Sequence, residues 1–127
     1  MKVVDSCIWL ELLSRGPLLD VARAVLVNPD EIVIPTMVML EVYKWMYRER
    51  GEGSADAVVA RMMLSGIIPL DARVAIRAGQ LCNDHRLATA DATIFAHAEM
   101  AGLPLVTCDE HFQGLVGVEY HVKPKSR

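Results

Sequence analysis

The sequence has no hydrophobic run long enough to cross a membrane and no recognisable secretion signal. Its longest charge-free runs, residues 32–40, 62–70 and 100–108, hold nine residues each. A membrane-spanning helix needs about 20 apolar residues. Asp5 interrupts the only apolar stretch near the first residue, which argues against a signal peptide. These absences predict a chain that neither crosses a membrane nor is secreted.

Cysteine is also scarce. The three cysteines, Cys7, Cys82 and Cys108, are widely spaced and form no C-x-x-C pair. An odd number of dispersed cysteines does not make a disulfide framework. Together with the four histidines they show no spacing typical of a zinc site. We therefore expect a chain with reduced cysteines in the cytoplasm.

The sequence has no excess of positive charge. Thirteen Lys and Arg face sixteen Asp and Glu, which leaves a formal net charge of −3. Proteins that coat nucleic acid are usually basic, so a nucleic acid would have to bind at a local patch or through metal ions that reverse the local charge. The 127 residues are 53% hydrophobic, which excludes disorder and is enough for one core. We predict that residues 1–127 form a single domain and that its basic tail, residues 123–127, is frayed.

Short apolar runs alternate with helical patterns along the chain. Strands are predicted at residues 2–4, 31–34, 67–70, 104–106 and 118–121, and helices at residues 6–13, 17–27, 37–50, 54–64, 72–85 and 89–102. Pro35 is expected to end the second strand, and Thr36 to cap the next helix. This alternation predicts an α/β fold, a parallel sheet with helices on both faces.

Two acids directly follow predicted strands. Asp5 comes after the first strand and Asp109 after the fourth. Ligands of open parallel sheets bind outside the carboxyl ends of the strands, so both positions suit a functional site. Aspartate is also a preferred helix N-cap, and that alternative stays open for each residue. Asp71 also follows a strand, but an N-cap explains it most simply.

Two further acids lie within the apolar stripes of predicted helices. Glu41 shares a helix face with Val42 and Trp45, and Asp91 shares one with Ile94 and Phe95. A carboxylate facing a core is costly unless it is paired or binds a metal. A salt bridge to a buried arginine, or a position at the wet edge of the stripe, is the alternative. Glu11, Glu49, Glu99 and Glu119 are expected to be solvated.

Four converging carboxylates would repel one another and raise one another's pKa. A divalent cation removes this objection, and Mg²⁺ and Mn²⁺ prefer oxygen ligands. Such a site suits phosphodiester hydrolysis, because a metal lowers the pKa of bound water and stabilises developing negative charge. An all-carboxylate set therefore indicates a nuclease or another phosphoryl-transfer enzyme.

Other catalytic motifs are missing from the sequence. It has no dinucleotide-binding fingerprint, no P-loop and no Gly-x-Ser-x-Gly elbow. Cys7 and Cys108 lie beside the predicted acidic cluster, which should raise the pKa of both thiols and make them poor nucleophiles. The four histidines share no ligand spacing and are interpreted as surface or packing residues: His85, His97, His111 and His121.

The acids occur in a particular order and context. Asp5 stands in Val3-Val4-Asp5-Ser6, Glu41 follows Val38-Met39-Leu40, Asp91 lies in the Leu-x-x-x-Asp-x-x-Ile helix of residues 87–94, and Asp109 ends Leu105-Val106-Thr107-Cys108-Asp109. Over almost its whole length the chain resembles the PIN-domain ribonucleases, most closely the VapC-type toxins of prokaryotic toxin–antitoxin pairs. The resemblance implies a three-layer α/β/α fold with a five-stranded parallel sheet, and a Mg²⁺- or Mn²⁺-dependent endoribonuclease.

The resemblance also implies roles for single residues. Asp5 and Asp91 would hold the metal, with Asp109 bound directly or through water. Glu41 would hold a second metal or orient the attacking water. Ser6 and Thr107 match hydroxyl residues of the family, whereas Cys7 stands where a Ser or Thr is more usual.

The expected partners are an RNA substrate, a small cognate antitoxin and a second copy of the chain in a homodimer. Basic residues that could guide RNA are Lys44, Arg48, Arg50 and Arg86, for which a solvated helix face is the alternative. Met37, Met39, Met46, Met62 and Met63 could line a groove for a partner helix, or simply fill the core. An RNA-processing endonuclease without an antitoxin and a catalytically silent interaction module are the alternative functions.

Overall fold

The computed structural model describes residues 1–125, so the last two residues of the predicted tail lie outside the described part. Residues 121–125 have no regular secondary structure. The described chain contains five strands and six helices: β1 (Lys2–Val4), α1 (Ser6–Ser14), α2 (Leu19–Leu26), β2 (Ile32–Pro35), α3 (Thr36–Arg50), α4 (Glu52–Met62), β3 (Gly66–Ile68), α5 (Ala72–His85), α6 (Thr89–Ala101), β4 (Leu105–Thr107) and β5 (Val118–Tyr120). Two 3₁₀ turns, Pro29–Glu31 and Glu110–Phe112, precede β2 and β5. No helix within residues 1–125 is long and apolar enough to cross a membrane.

The five strands form one sheet in the order β3-β2-β1-β4-β5, and every neighbouring pair is parallel. This confirms the predicted α/β/α architecture with a five-stranded parallel sheet. From β1 the chain adds strands on one side of the sheet, then returns to add β4 and β5 on the other. The strand order therefore reverses between β1 and β4, and open α/β sheets bind ligands outside the carboxyl ends of the strands at such a point.

The central strands are buried because helices cover both faces of the sheet. All residues of β2 and β4 are buried, as are Val3 and Val4 of β1. Ile8 and Trp9 of α1 and Ile94 of α6 close the core around them. A rigid core thus supports the carboxyl edge of β1 and β4.

The start of α3 differs from the prediction in one detail. Pro35 is the last residue of β2 and also the N-cap of α3, and Thr36 is the first helical residue. The predicted Thr36 cap is wrong, since no side chain caps this helix end. The proline φ of −61° with ψ of 141° is extended, so one residue can end a strand and precede a helix.

The methionines do not form one exposed stripe. Met46 and Met62 are core residues, 2% and 0% exposed, whereas the side chain of Met63 is 59% exposed. Met37 and Met39 are partly buried against the core. A groove lined by all five is therefore wrong, because the inward faces of α3 and α4 take Met46 and Met62.

Glu11 is the exception among the acids expected to be solvated. It lies in α1 and is 7% exposed. Its carboxylate lies against Gly16, where any side chain would overlap it. The prediction fails here because the glycine lets the chain pass close over the carboxylate as it leaves α1.

Candidate active site

Three of the predicted site residues lie at the point where the strand order reverses. Asp5 directly follows β1, and its backbone N–H donates to the carbonyl of Val106 in β4 at 2.9 Å. Thr107 ends β4, and Asp109 follows two residues later. The parallel pairing of β1 and β4 therefore brings these residues together although they are about a hundred positions apart in sequence.

The Asp5 carboxylate is held on both of its oxygens. Oδ1 accepts from the Ser6 backbone N–H at 2.8 Å, and Oδ2 accepts from the Thr107 hydroxyl at 2.8 Å. The residue is 2% exposed, and burial raises its pKa despite these hydrogen bonds. Asp5 caps α1 and faces the site, so its two alternative roles coincide.

The Thr107 hydroxyl connects the two strand-end acids. Besides donating to Asp5, it accepts from the backbone N–H of Asp109 at 3.0 Å. It is 0% exposed. A buried hydroxyl with both a donor and an acceptor partner fixes the relative positions of Asp5 and Asp109.

Glu41 reaches the site from the second turn of α3. Its Oε1 accepts from the Ser6 hydroxyl at 3.1 Å. Burial raises the pKa of the Glu41 carboxyl, and repulsion from Asp5 and Asp91 raises it further, while Lys44 opposes this. Ser6 therefore contacts two of the predicted acids, Asp5 through its backbone and Glu41 through its hydroxyl.

Asp91 reaches the site from the first turn of α6. Its side chain is 19% exposed. Burial, followed by repulsion from Asp109 and Asp5, raises its pKa from 3.8 to about 6. An acid so placed carries a partial proton at neutral pH unless a cation stabilises its charge.

Asp109 begins the 3₁₀ turn that precedes β5. Its Oδ1 accepts from the backbone N–H of His111 at 3.0 Å, which caps this turn. The same oxygen lies 3.0 Å from Nδ1 of His111, and that nitrogen lies 3.8 Å from Oδ2 of Asp91. His111 is exposed, as expected, yet its place beside two site acids was not predicted.

A signal for His111 does exist in the sequence. Aspartate often accepts from the backbone N–H two residues further on, and Asp109 and His111 have this spacing. Such a turn predicts that the histidine backbone folds back toward the carboxylate. The spacing among the four histidines alone does not contain this signal, because the signal involves Asp109.

The donor set fits a divalent cation. Among the residues described, no Lys or Arg forms a salt bridge with Asp5, Glu41, Asp91 or Asp109, and His111 is the one ionic partner. The pKa values of Asp5, Glu41 and Asp91 are all raised. A negatively charged oxygen cluster without a fixed counter-charge is what Mg²⁺ or Mn²⁺ would stabilise.

The ligand atoms are not equally close to one another. Within the described chain, one group of three ligand atoms lies within 4.8 Å of one another, from Asp91, Asp109 and His111. Asp5 is not in this group, and its carboxylate accepts hydrogen bonds from Thr107 and Ser6. Of the four acids, Asp91 and Asp109 thus belong to this group of three potential ligands.

Cys7 packs behind Asp5. Its sulfur lies 3.6 Å from Oδ2 of Asp5 and 3.4 Å from the Thr107 hydroxyl, and it accepts from the Cys108 backbone N–H at 3.1 Å. A hydrogen bond with Cys108, burial and the nearby Asp5 raise the pKa of the Cys7 thiol. The expected rise is wrong for Cys108, because its bond with Cys7 lowers its pKa.

The four candidate RNA-guiding residues are not equivalent. Lys44 and Arg48 line a cavity of about 380 Å³ together with Ser6 and Glu41. The Arg50 guanidinium instead donates to the Leu13 carbonyl at 3.0 Å and links the ends of α3 and α1. The last candidate, Arg86, is exposed and follows α5 in a left-handed conformation with φ of 54°.

Comparison with solved structures shows the same fold in other proteins, among them a toxin–antitoxin complex and a toxin. A toxin–antitoxin complex from Klebsiella pneumoniae has a TM-score of 0.80 at 23% identity, over 94% of this chain and 96% of that chain. VapC20 of Mycobacterium tuberculosis, a sarcin-ricin loop cleaving toxin, has a TM-score of 0.80 at 21% identity, over 98% and 100%. FitAcB from Neisseria gonorrhoeae has a TM-score of 0.73 at 21% identity, over 95% and 97%.

Comparison at the level of sequence gives the family. A search of curated proteins found no match. The family model of the PIN domain matches residues 2–117, a range that includes all four acids of the site. The chain therefore belongs to the PIN domain family.

Proposed function

We propose that this protein is a metal-dependent endoribonuclease that acts as the toxin of a toxin–antitoxin pair. The observation that carries the proposal is the meeting of Asp5, Glu41, Asp91 and Asp109 at the carboxyl edge of the sheet. They arrive from β1, α3, α6 and the end of β4, with no arginine or lysine salt bridge in the described chain to explain them as structural ion pairs. The PIN family and the fold shared with VapC20 support this activity.

Asp5, Asp91 and Asp109 would hold Mg²⁺ or Mn²⁺. When bound, the cation would supply positive charge for the scissile phosphodiester and for an attacking water. Thr107 keeps Asp5 and Asp109 at a fixed separation through its two hydrogen bonds. Such preorganisation avoids reordering the carboxylates during the reaction.

Glu41 is the proposed proton acceptor for the attacking water. The Ser6 hydroxyl fixes Oε1 at 3.1 Å, which leaves the other carboxylate oxygen for a water. The raised pKa of Glu41 brings this group nearer to neutral pH, where a general base is most effective. Since water attacks rather than a ribose hydroxyl, the products would carry a 5′-phosphate and a 3′-hydroxyl.

The cavity beside Glu41 is the proposed path of the RNA backbone. Lys44 and Arg48 line it, and lysine and arginine contacts to phosphates supply sequence-independent affinity. A chain with net charge −3 binds RNA through such a local patch rather than through its whole surface.

The proposed partners are a small antitoxin that covers the site and a second copy of this chain. The support for the antitoxin is the fold shared with the toxin–antitoxin complex from Klebsiella pneumoniae. Homodimerisation is tested by the molar mass in solution. The proposed compartment is the cytoplasm, consistent with free thiols at Cys7, Cys82 and Cys108.

The activity is tested with purified protein and a structured RNA in Mg²⁺ or Mn²⁺. Glu41→Gln should lower the cleavage rate at least ~100-fold, the lower end of the usual contribution of a general base. Glu52→Gln, an exposed acid at the start of α4, is the matched control and should cleave at the rate of the wild type. Products ending in a cyclic phosphate, or equal rates for both variants, would contradict the proposal.

The toxin assignment is tested separately in cells. Expression of the chain should arrest growth, Asp5→Asn should not, and co-expression of the small protein encoded beside it should restore growth. Cleavage in vitro without growth arrest would instead favour an RNA-processing enzyme.

A further inference from the structure

His111 is a histidine beside the acidic site that the proposed mechanism does not use. Its Nδ1 lies 3.0 Å from Oδ1 of Asp109 and 3.8 Å from Oδ2 of Asp91. These are also the three residues whose ligand atoms lie within 4.8 Å of one another in the described chain. The imidazole of an exposed histidine therefore converges with the carboxylates of Asp91 and Asp109.

We infer that His111 is a nitrogen ligand of the divalent cation, and that with Asp91 and Asp109 it forms a mixed set that favours Mn²⁺ over Mg²⁺. The inference rests on the proposed metal-dependent function and names the metal class that this site would select.

The backbone around His111 supports a ligand role. Asp109 accepts from the backbone N–H of His111 at 3.0 Å and so fixes the 3₁₀ turn that carries the imidazole. The His111 side chain itself is 70% exposed, so packing does not lock the ring and it can turn its Nδ1 lone pair toward a cation. A fixed backbone with an adjustable ring suits a ligand that must adapt to a metal.

Asp5 and Glu41 are less free than Asp91 and Asp109 to turn toward the same cation as His111. Both oxygens of Asp5 already accept hydrogen bonds at 2.8 Å, from Ser6 and Thr107. Glu41 accepts from the Ser6 hydroxyl and is not among the three residues whose ligand atoms lie within 4.8 Å of one another in the described chain. Each oxygen keeps a second lone pair for a metal, but their orientation is set by these bonds. Asp91, Asp109 and His111 lie nearest one another and can close around one ion.

The chemistry of the donors sets the metal preference. Mg²⁺ demands near-ideal octahedral geometry, binds oxygen and retains waters. Imidazole suits transition metals better than Mg²⁺. Mn²⁺ shares the oxygen ligands of Mg²⁺, but as a softer transition-metal ion it also accepts a nitrogen donor. Because the His111 side chain is 70% exposed, an ion pair with Asp91 and Asp109 would add little stability, which gives the residue a weaker role than metal binding.

The decisive measurement is made on the full chain with Mn²⁺ alone, without RNA. Pulsed electron paramagnetic resonance of the Mn²⁺ complex should show coupling to an imidazole nitrogen in the wild type, and this coupling should vanish in His111→Gln. Calorimetry should show Mn²⁺ affinity falling ~10-fold or more, since partners of metal ligands already contribute 10–100-fold. Mg²⁺ affinity should change much less.

His85→Gln is the matched control, because His85 is an exposed histidine at the end of α5. It should keep the nitrogen coupling and both metal affinities. Urea unfolding of the two variants checks that each retains the fold. Bound Mn²⁺ without nitrogen coupling in the wild type, equal losses for both metals in His111→Gln, or no detectable Mn²⁺ binding would overturn the inference.

Failure of this inference is distinguishable from failure of the proposed function. RNA cleavage with Mn²⁺ bound through oxygen alone would overturn the role of His111 and leave the nuclease intact. Nitrogen-coupled Mn²⁺ in a protein that cleaves no RNA would support the ligand set and contradict the nuclease.

Discussion

Asp91 is the residue that most clearly shows the electrostatic cost of the site. Its pKa is raised to about 6 in the folded chain, from 3.8. Between these values the folded state binds more protons than the unfolded state, so the stability of the metal-free protein falls as pH rises from about 4 to about 6. Above about pH 6, Asp91 is ionised in both states and the full loss of stability remains.

Asp91→Asn should therefore stabilise the protein in EDTA. We expect the melting temperature at pH 7.5 to rise by a few degrees, which corresponds to ~1 kcal/mol for a domain of this size. The gain should shrink as the pH falls toward 4 and disappear below about pH 3, where Asp91 is protonated in both states.

Thermal unfolding of both proteins across this pH range measures the effect. The same change at the exposed Asp84 should leave the melting curve unchanged. A lower melting temperature for Asp91→Asn at every pH would mean that this carboxylate stabilises the fold.

Thr107 is another single residue on which the site depends, because its hydroxyl donates to Asp5 and accepts from the Asp109 backbone N–H. Thr107→Val keeps the shape but removes the donor to Asp5 and the acceptor for the Asp109 N–H. Leaving buried polar groups unsatisfied costs roughly 1–3 kcal/mol. We expect urea unfolding to show this loss, together with weaker Mn²⁺ binding.

Thr107→Ser keeps the hydroxyl and is the matched control for Thr107→Val. It should retain most of the metal affinity. Equal metal binding by all three proteins would show that the Thr107 hydroxyl does not organise the site.

At the level of helices, adjacent residues at the end of α4 separate core from surface. Met62 is 0% exposed and Met63 is 59% exposed. Loss of a core methionine side chain costs roughly 2–5 kcal/mol, whereas exposed substitutions usually stay within about 0.5 kcal/mol. We therefore expect Met62→Ala to lower the free energy of unfolding strongly and Met63→Ala to leave it nearly unchanged.

Denaturant unfolding of the two single variants is the test, and each serves as the control for the other. Of these two residues, Met63 is the one exposed enough to contact a partner. Similar unfolding free energies for both variants would contradict the burial that excludes Met62 from a groove.

Helical periodicity explains why some site residues could be predicted. Glu41 and Asp91 interrupt apolar stripes, and a costly carboxylate on an inward face is visible in the sequence. The structural role of Arg50 could not be predicted in this way, because its hydrogen bond to the Leu13 carbonyl depends on where α1 and α3 end relative to each other. The burial of Met46 and Met62 could not be predicted either. It depends on how α3 and α4 pack, since neighbouring elements determine which face of a helix is covered.

For the whole molecule, the alternation of strands and helices was sufficient to predict a parallel sheet and the edge that carries the site. The order β3-β2-β1-β4-β5, which places Asp5 beside Thr107 and Asp109, is a long-range property that local patterns do not encode. His111 was missed for a different reason: one histidine in a turn has no periodicity, and its signal lies in the spacing from Asp109. Only the Asp109 turn brings it to Asp91.

The central claim is that carboxylates brought together by this topology form a metal-dependent nuclease. The most direct measurement is RNA cleavage by the purified chain before EDTA, in EDTA, and after excess Mn²⁺ is restored, with Asp91→Asn in parallel. We predict cleavage that stops in EDTA, returns with Mn²⁺ and is absent from the folded variant under all three conditions. Cleavage at the full rate in EDTA, or by Asp91→Asn, would contradict the account.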